Sequence, residues 1–595
     1  MCFLCRAVFC CFCYNIIVKN KELAQIFNNI ADLLEINGEN SFRIRAYRRA
    51  AFSLESLSQD LDKLVRDDRI TEIAGIGKDL ADKIKEYYKD NKIKYYQDII
   101  KKVPQDLLTM LKIPGVGPKT VKMLYQKLKI KSIEKLEKMA REGKLRGLPG
   151  LKEKTEKNII NGIEFLKKGS GRMPLGIALP LAEQIIAELK NIKEAGEISY
   201  AGSLRRMKET VRDIDILAAS KYPQKVMDGF INSAMTEKVA AEGLTKSSIL
   251  TKANIQIDLR VVDKNSFGAA LQYFTGSKNH NIHLRALSQR QGLKVNEYGV
   301  FRVKTGKKIA GKTEQEAYKA LGMVWIPPEI REDSGEIEKA IEDKLPNLIE
   351  VKDVQGDLHI HSDWSDGAHP LDEIIDIAYR RGYKYIAVTD HSKSLGIAGG
   401  LDERRVLKQI KEIKRIEKKY KNFHVLCGIE LDIKSDSSLD LNPEVLKKLD
   451  IVIGAIHSGF KQSKEKITER ITCAIKTGFI DILAHPTGRL MGVREGYELD
   501  WDRLFKAACK YKTALEINSH YLRLDLNGIN ARRGKEEGVL ISINTDTHLQ
   551  EQFDMIKYGV AAARRGWLEK KDVINAWPYS KLIKFLKSRG KQRGL

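Results

Sequence analysis

Two hydrophobic rhythms divide the chain. From Lys21 to about Lys168 apolar positions recur at helical spacing, broken by short glycine-containing turns. After "GSGRMPLG" (Gly169–Gly176) the pattern changes to mixed α/β. Strict alternation in "DIDIL" (Asp213–Leu217) predicts a strand, as do short apolar runs ending in polar residues. A Pro-containing acidic connector, "WIPPEIREDSGEIEKAIEDKLPNLIE", leads to a second mixed region, with the boundary near Val354. No window holds the ~18 uninterrupted apolar residues a spanning helix requires, so no membrane segment is expected.

A chain of 595 residues is too long for one core, and several domains are expected. Its 104 Lys+Arg outweigh 79 Asp+Glu, giving a formal charge of +25. Both halves are basic, which favours a polyanion partner such as DNA or RNA over a merely solvated Lys-rich surface. Cys2, Cys5, Cys10, Cys11 and Cys13 crowd the first segment, whereas Cys427, Cys473 and Cys509 are scattered as in a reducing compartment. Residues 1–19 lack a signal-peptide pattern and are expected to be a disordered tail or a start-site extension.

Three stretches of the helical region share one design: "IAGIGKDLADKI" (Ile73–Ile84), "IPGVGPKTVKML" (Ile113–Leu124) and "LPGLKEKTEKNI" (Leu148–Ile159). Each joins an apolar helix end to a basic helix through a glycine turn. Gly75 with Gly77, and Gly115 with Gly117 and Lys119, let backbone amides at a helix start face a phosphate oxygen. These resemble helix-hairpin-helix elements, which grip the DNA backbone without reading bases. The third copy has lost its second glycine.

"YAGSLRRMKETVRDIDILAA" (Tyr200–Ala219) places Asp213 and Asp215 on one face of a strand, after Gly202, Ser203 and two arginines. "IQIDLRVV" (Ile255–Val262) adds Asp258. Three neighbouring carboxylates call for counter-charge, and two Mg²⁺ or Mn²⁺ ions would supply it for nucleotidyl transfer. With "YFTGSKNHNIHLRALSQRQGLKVNEYG" (Tyr273–Gly299), this order of motifs resembles the family X DNA polymerases of the DNA polymerase beta superfamily, over about Lys21 to Pro328. The resemblance implies that Asp213, Asp215 and Asp258 bind the two metals, with Asp258 placed to activate the primer 3′-hydroxyl. It also implies that Gly202, Ser203 and Arg206 hold the triphosphate, that Gly276 and Lys278 bind the nucleotide, and that Tyr273 and Phe274 sense the sugar. Asn281 and Arg285 match positions at the nascent pair and template strand. Lys83 aligns with the Schiff-base lysine of a 5′-deoxyribose-phosphate lyase, with Tyr47 and Arg43 near its phosphate positions. Asp79, however, stands where the lyase members carry another lysine, so lyase activity stays open.

The chain has 11 histidines, nine of them beyond Gly356. Six follow strand-like runs: His359 and His361 in "GDLHIHSDWSDG", then His391, His457, His485 and His548. Asp366, Glu430 and Asp546 join them. In a barrel of parallel strands such positions converge at one mouth. Imidazole mixed with carboxylate suits Mn²⁺, Zn²⁺ or Fe, and nine ligands suffice for two or three ions. This resembles the PHP domain, a distorted (β/α)7 barrel that hydrolyses phosphoesters, over about Val354 to Lys591.

The expected layout is a helical domain at 20–100 and a fingers-like helical domain at 101–172. An α/β nucleotidyltransferase palm at 173–265, a thumb at 266–328, a linker at 329–353 and the PHP barrel at 354–595 follow. The resemblance implies a DNA polymerase that fills short gaps in repair, including base excision repair. It adds a metal-dependent 3′→5′ exonuclease or 3′-end processing activity. The alternative is a PHP phosphatase or abasic-site endonuclease on a DNA-binding scaffold. Expected partners are gapped or nicked double-stranded DNA and deoxynucleoside triphosphates. A cytoplasmic, nucleoid-associated monomer is expected.

Overall fold

The computed structural model describes residues 23–590, apart from 25, 56–60, 74, 91, 103–106, 108–109, 112–115, 147–150, 152–155, 157–158, 161–162, 164–171 and 492–495. The cysteine-rich start, Gly115 and nearly all of the third glycine turn therefore lie outside the described residues. Among the described residues no helix is long and apolar enough to cross a membrane. The chain divides into two compact units, 1–171 and 172–595.

The first unit is helical. Its helices include Ser41–Glu55, Lys78–Asp90, Lys94–Lys102, Pro118–Leu128 and Ile133–Arg141. Apolar faces at helical spacing meet in one cluster that runs from Leu23 to Ile163 and includes Phe27, Tyr47, Ile84, Val121 and Leu136. That cluster spans both helical segments expected from the sequence. Proline at the first turn and an extended Gly117 start the helix Pro118–Leu128, because proline's missing N–H costs nothing there.

The second unit begins with a short pair, β1 (Met173–Pro174) and β3 (Thr210–Val211). A five-stranded sheet follows: β2 (Ile198–Tyr200), β4 (Asp213–Ala219), β5 (Thr236–Ala241), β6 (Lys246–Thr251) and β7 (Gln256–Val262), ordered β2-β4-β7-β6-β5. Only β4 and β7 are parallel neighbours; the other pairs are antiparallel. Ile214 and Ile216 turn into the core with the helices Leu175–Lys190 and Pro223–Ile231, so alternation sends Asp213 and Asp215 to the opposite face.

Two helices, Phe267–Thr275 and Lys278–Arg290, lead to a small antiparallel sheet of β8 (Leu293–Asn296), β9 (Gly299–Arg302) and β10 (Lys308–Ala310). The acidic stretch 329–353 is packed rather than a free tether. Arg331 and Glu336 are fully buried, the latter 2.6 Å from His280 Nδ1, and Ile349 N–H donates to the carbonyl of Leu568.

Seven parallel strands form the last domain: β11 (Gly356–Ile360), β12 (Tyr385–Val388), β13 (His424–Asp432), β14 (Ile451–Ala455), β15 (Ile482–Leu483), β16 (Ala514–Asn518) and β17 (Ile541–Asn544). They pair in sequence order, and a parallel bridge between Ile360 and Thr547 joins first edge to last. Branched residues fill the strands, which are buried on both faces as a helix-wrapped parallel sheet requires. One end of this barrel gathers the histidines.

Candidate active sites

On the palm sheet, Asp215 of β4 stands in register with Asp258 of β7. Lys246 Nζ lies 2.9 Å from Asp258 Oδ2, and Gln256 Nε2 donates to Asp258 Oδ1 at 2.7 Å. Burial, with Asp213 and Asp258 nearby, pushes the Asp215 carboxyl up to about 6. Burial also opposes the Asp258 anion, but hydrogen bonds from Gln256, Lys246 and Ser248 outweigh it and hold that carboxyl below its ordinary value. Three acids on one face, one of them resisting ionisation, are a donor set that fits hard divalent cations.

The turn Gly202–Arg205 packs directly onto this face. Gly202 has φ +58°, and a Cβ there would lie 2.2 Å from Asp215 Oδ2, so only glycine fits. Ala201 N–H donates to the Asp215 carbonyl at 2.7 Å, and Ser203 follows half-buried. Arg206 Nε lies 3.0 Å from Glu332 Oε1, and its Nη1 donates to the carbonyl of Thr275 at 2.5 Å, beside Gly276. Tyr273 and Phe274 meet edge to face at 5.2 Å, with the Arg260 guanidinium 4.5 Å from the Phe274 ring. The Asn281 side chain is already engaged: it accepts from Gln272 Nε2 and donates to the Tyr273 carbonyl. Lys278 and Arg285 are exposed.

In the helical unit, Gly75 adopts φ +86° with Arg49 against it, while Gly77 and Gly117 are exposed with open space above them. Lys119 is exposed on the helix that Gly117 starts. Lys83 Nζ is paired with Asp79 Oδ1 at 2.7 Å and lies 5.4 Å from the Tyr95 ring, over which Arg43 also sits at 5.0 Å. Tyr47 stacks on Tyr95, its buried hydroxyl unpartnered. An ammonium tied to a carboxylate is a poor start for a Schiff base, which needs the free amine.

At the barrel mouth, three groups have ligand atoms close enough to share a cation: His361, Asp366, His391 and His548; His359, His361 and Asp546; and His391, Glu430 and His457. His361 Nε2 is 3.2 Å from Asp546 Oδ1, His391 Nδ1 2.7 Å from Glu430 Oε2, and His548 Nε2 3.3 Å from Asp366 Oδ1. His485 joins none of the three groups, yet its Nε2 is 3.0 Å from Glu430 Oε1. All nine sequence-predicted ligands therefore meet here.

Several buried polar atoms at this mouth touch neighbours of the cluster without making a well-formed hydrogen bond: His359 Nε2, both ring nitrogens of His361, and Glu430 Oε2 among them. Such atoms are costly to bury unless something binds them. Burial opposes the Glu430 and Asp546 anions, but the surrounding imidazoles outweigh it and hold both carboxyls well below their ordinary values. Burial also opposes charge on His391, yet Glu430 and Asp366 raise it to about 10. The cluster asks for positive charge, and metal cations fit that demand.

Several supporting residues were missed in the sequence. Glu516 on β16 reaches His359 Nδ1 at 2.8 Å and accepts the His485 N–H at 2.8 Å. Asp432 faces His457 Nδ1 at 3.4 Å. Asn518 donates to Asp546 Oδ2, and Arg523 is the one arginine or lysine among the described residues paired with a carboxylate of the cluster, at 3.7 Å. The alternation of "ALEIN" on a strand would have flagged Glu516; Arg523 sits in a loop with no periodic signal.

Models of known families match in the order the folds suggest. A helix-hairpin-helix domain matches residues 18–93, a SAM-like helix-hairpin-helix tandem 107–164, a DNA polymerase beta thumb 270–332, and a PHP domain 357–520. A protein of Bacillus subtilis (strain 168) named DNA polymerase/3′-5′ exonuclease PolX is 39% identical over 572 residues, covering 96% of this chain and 100% of that protein. This chain belongs to the family X DNA polymerases with a C-terminal PHP domain. Shorter relatives share part of this family X polymerase. A probable phosphatase of Thermoanaerobacter sp. (strain X514) is 28% identical over 249 residues, which is 40% of this chain and 96% of the relative. One from Shewanella frigidimarina (strain NCIMB 400) is 27% identical over 247 residues, 39% of this chain and 93% of the relative.

Proposed function

We propose that this family X polymerase extends 3′ ends across short DNA gaps and removes nucleotides from 3′ ends at its PHP barrel. The observation that carries the reading is end-to-end similarity to the DNA polymerase/3′-5′ exonuclease PolX, in a chain with a metal-capable cluster at the barrel mouth and a separate acidic face on the five-stranded sheet. The shorter phosphatase relatives do not extend to the rest of the chain, and the intact acidic face of the palm speaks against a scaffold with PHP phosphatase or endonuclease activity alone.

In the palm, Asp213, Asp215 and Asp258 hold two Mg²⁺ or Mn²⁺ ions. At the barrel mouth, His359, His361, Asp366, His391, Glu430, His457, His485, Asp546 and His548 hold two or three ions of Mn²⁺, Zn²⁺ or Fe. Bound divalent ions supply charge neutralisation at phosphorus and an activated attacking oxygen. The chain's own residues do the rest. Asp258 takes the primer 3′-hydroxyl proton in this reading. Gly202 leaves room beside Asp215, and Ser203, Arg206, Gly276 and Lys278 hold the triphosphate of a deoxynucleotide. Tyr273 and Phe274 line its sugar, and Asn281 and Arg285 meet the new pair and the template.

Gly75, Gly77, Gly115, Gly117 and Lys119 grip phosphates on gapped or nicked duplex, consistent with a net charge of +25. The proposal keeps the expected layout: helical domains at 20–100 and 101–172, a palm at 173–265, a thumb at 266–328, a connector at 329–353 and a barrel at 354–595. We take the protein to act as a monomer in the cytoplasm, on nucleoid DNA. Lyase chemistry at Lys83, with Tyr47 and Arg43, is disfavoured by the Asp79 pair.

A 5′-labelled primer on one-nucleotide-gapped DNA tests the proposal. Intact protein with Mn²⁺ is expected to lengthen the primer with deoxynucleotides and shorten it without them, and chelation should stop both. Binding to the gap with neither product would overturn the proposal.

A further inference from the structure

The barrel helix Ile556–Arg565 ends on two arginines that reach the polymerase half. Arg564 Nε lies 2.7 Å from Glu329 Oε1, and its Nη1 donates to the carbonyl of Ile349. Arg565 Nη1 donates to the backbone carbonyl of Arg206 at 2.7 Å and lies 3.2 Å from Glu332 Oε1. That same carboxylate oxygen faces Arg206 Nε at 3.0 Å and Lys208 Nζ at 3.1 Å. One oxygen of Glu332 thus gathers three cations, two from the palm and one from the PHP barrel.

The consequence falls on Arg206. Its backbone is tied to Arg565, its Nε to Glu332 and its Nη1 to the carbonyl of Thr275. The side chain is only 12% exposed, so it has little freedom to swing. Among the described residues, its Nε and Nη1 each have a hydrogen-bond partner and its Nη2 has none. Guanidinium groups grip phosphate through paired N–H bonds of fixed geometry, so the direction of that remaining edge decides how well it meets an anion.

We infer that Glu332 and Arg565 are positioning residues for nucleotidyl transfer: the PHP barrel, through Arg565, sets the orientation in which Arg206 meets the incoming triphosphate. The inference rests on the reading of Arg206 as a triphosphate contact. It gives the barrel a part in synthesis that does not depend on its own hydrolytic chemistry. Misplacing a binding group by an ångström can cost two orders of magnitude, and a loosened one somewhat less.

Steady-state gap filling by the full chain tests this, with KM for the deoxynucleotide, KM for gapped DNA and kcat measured separately. Arg565→Gln and Glu332→Gln are each expected to raise the deoxynucleotide KM about tenfold. The KM for DNA and the rate of primer shortening should stay unchanged, and Arg565→Lys should fall between. In an Arg206→Ala background, Arg565→Gln should add nothing further to the deoxynucleotide KM. If Arg206→Ala itself leaves that KM unchanged, the triphosphate reading fails and the inference falls with it. If Arg206→Ala raises it but neither Arg565→Gln nor Glu332→Gln does, the inference alone is overturned. Parallel loss of extension and shortening in Arg565→Gln and Arg565→Lys would also overturn it, marking a purely structural contact.

Discussion

Glu516 Oε1 lies 2.8 Å from His359 Nδ1 at the floor of the barrel mouth, and Glu516 Oε2 accepts the His485 N–H. One buried carboxylate therefore orients one predicted ligand and fixes the backbone of another. With Nδ1 committed to Glu516, His359 Nε2 is turned toward Glu430 and Asp546, at 3.5 Å from each. Partners of this kind are worth roughly 10- to 100-fold in metal affinity or activity. Glu516→Gln is expected to weaken divalent-metal retention in dialysis, and primer shortening, by that factor. Gap filling should be unaffected.

Gly202 and Asp215 leave no space between them. Alanine at 202 would bring its Cβ to 2.2 Å from Asp215 Oδ2 and would strain a backbone at φ +58°. The carboxylate or the turn must then move. Gly202→Ala is expected to cut gap-filling kcat on the order of 100-fold, with shortening intact, as read by single-turnover extension.

Glu314 is the hinge of a buried charge cluster. Its Oε1 lies 2.6 Å from Arg331 Nη1 and 2.7 Å from Arg205 Nη1, and Arg331 is fully buried. Removing the shared carboxylate leaves two guanidinium groups without their counter-ion. Glu314→Ala is expected to cost about 3–5 kcal/mol, visible as a lower urea midpoint. Replacing Glu314 and Arg331 together with apolar residues should cost less than the single change.

Acid sensitivity should follow from Glu332. Burial opposes its charge, but Arg565, Arg206 and Lys208 outweigh burial and hold the carboxyl down to about 2, against an ordinary 4.5. A depressed folded value contributes stability that is complete above the ordinary one and fades as pH falls toward the folded one. The window is pH 4.5 down to 2, and the contribution is up to about 3 kcal/mol. Urea midpoints across that range should fall steeply for the native chain and less steeply for Glu332→Gln. Equal slopes would refute the assignment.

Local patterns carried much of this site into the sequence. Asp213 and Asp215 sit two apart on β4, and His359 and His361 two apart across the end of β11, so one face each was legible from alternation alone. The remaining histidines follow apolar runs, which is how barrel strands announce their ends. What stayed hidden are partners far apart in the chain. Glu516 lies 157 residues from His359, and Arg565 lies 359 from Arg206. A charged residue carries no local mark of whom it will meet. The stretch 329–353 shows this most plainly: its prolines and acids suggest a tether, yet Arg331, Glu332 and Glu336 tie thumb, palm and barrel together.

The most direct test of two independent sites on one chain is a single assay on one-nucleotide-gapped DNA. A 5′-labelled primer is followed with Mn²⁺, with and without deoxynucleotides, for the intact protein, Asp215→Asn and His391→Gln. Asp215→Asn should abolish lengthening and leave shortening; His391→Gln should abolish shortening and leave lengthening. Loss of both activities in either variant, or shortening that survives His391→Gln, would contradict the account.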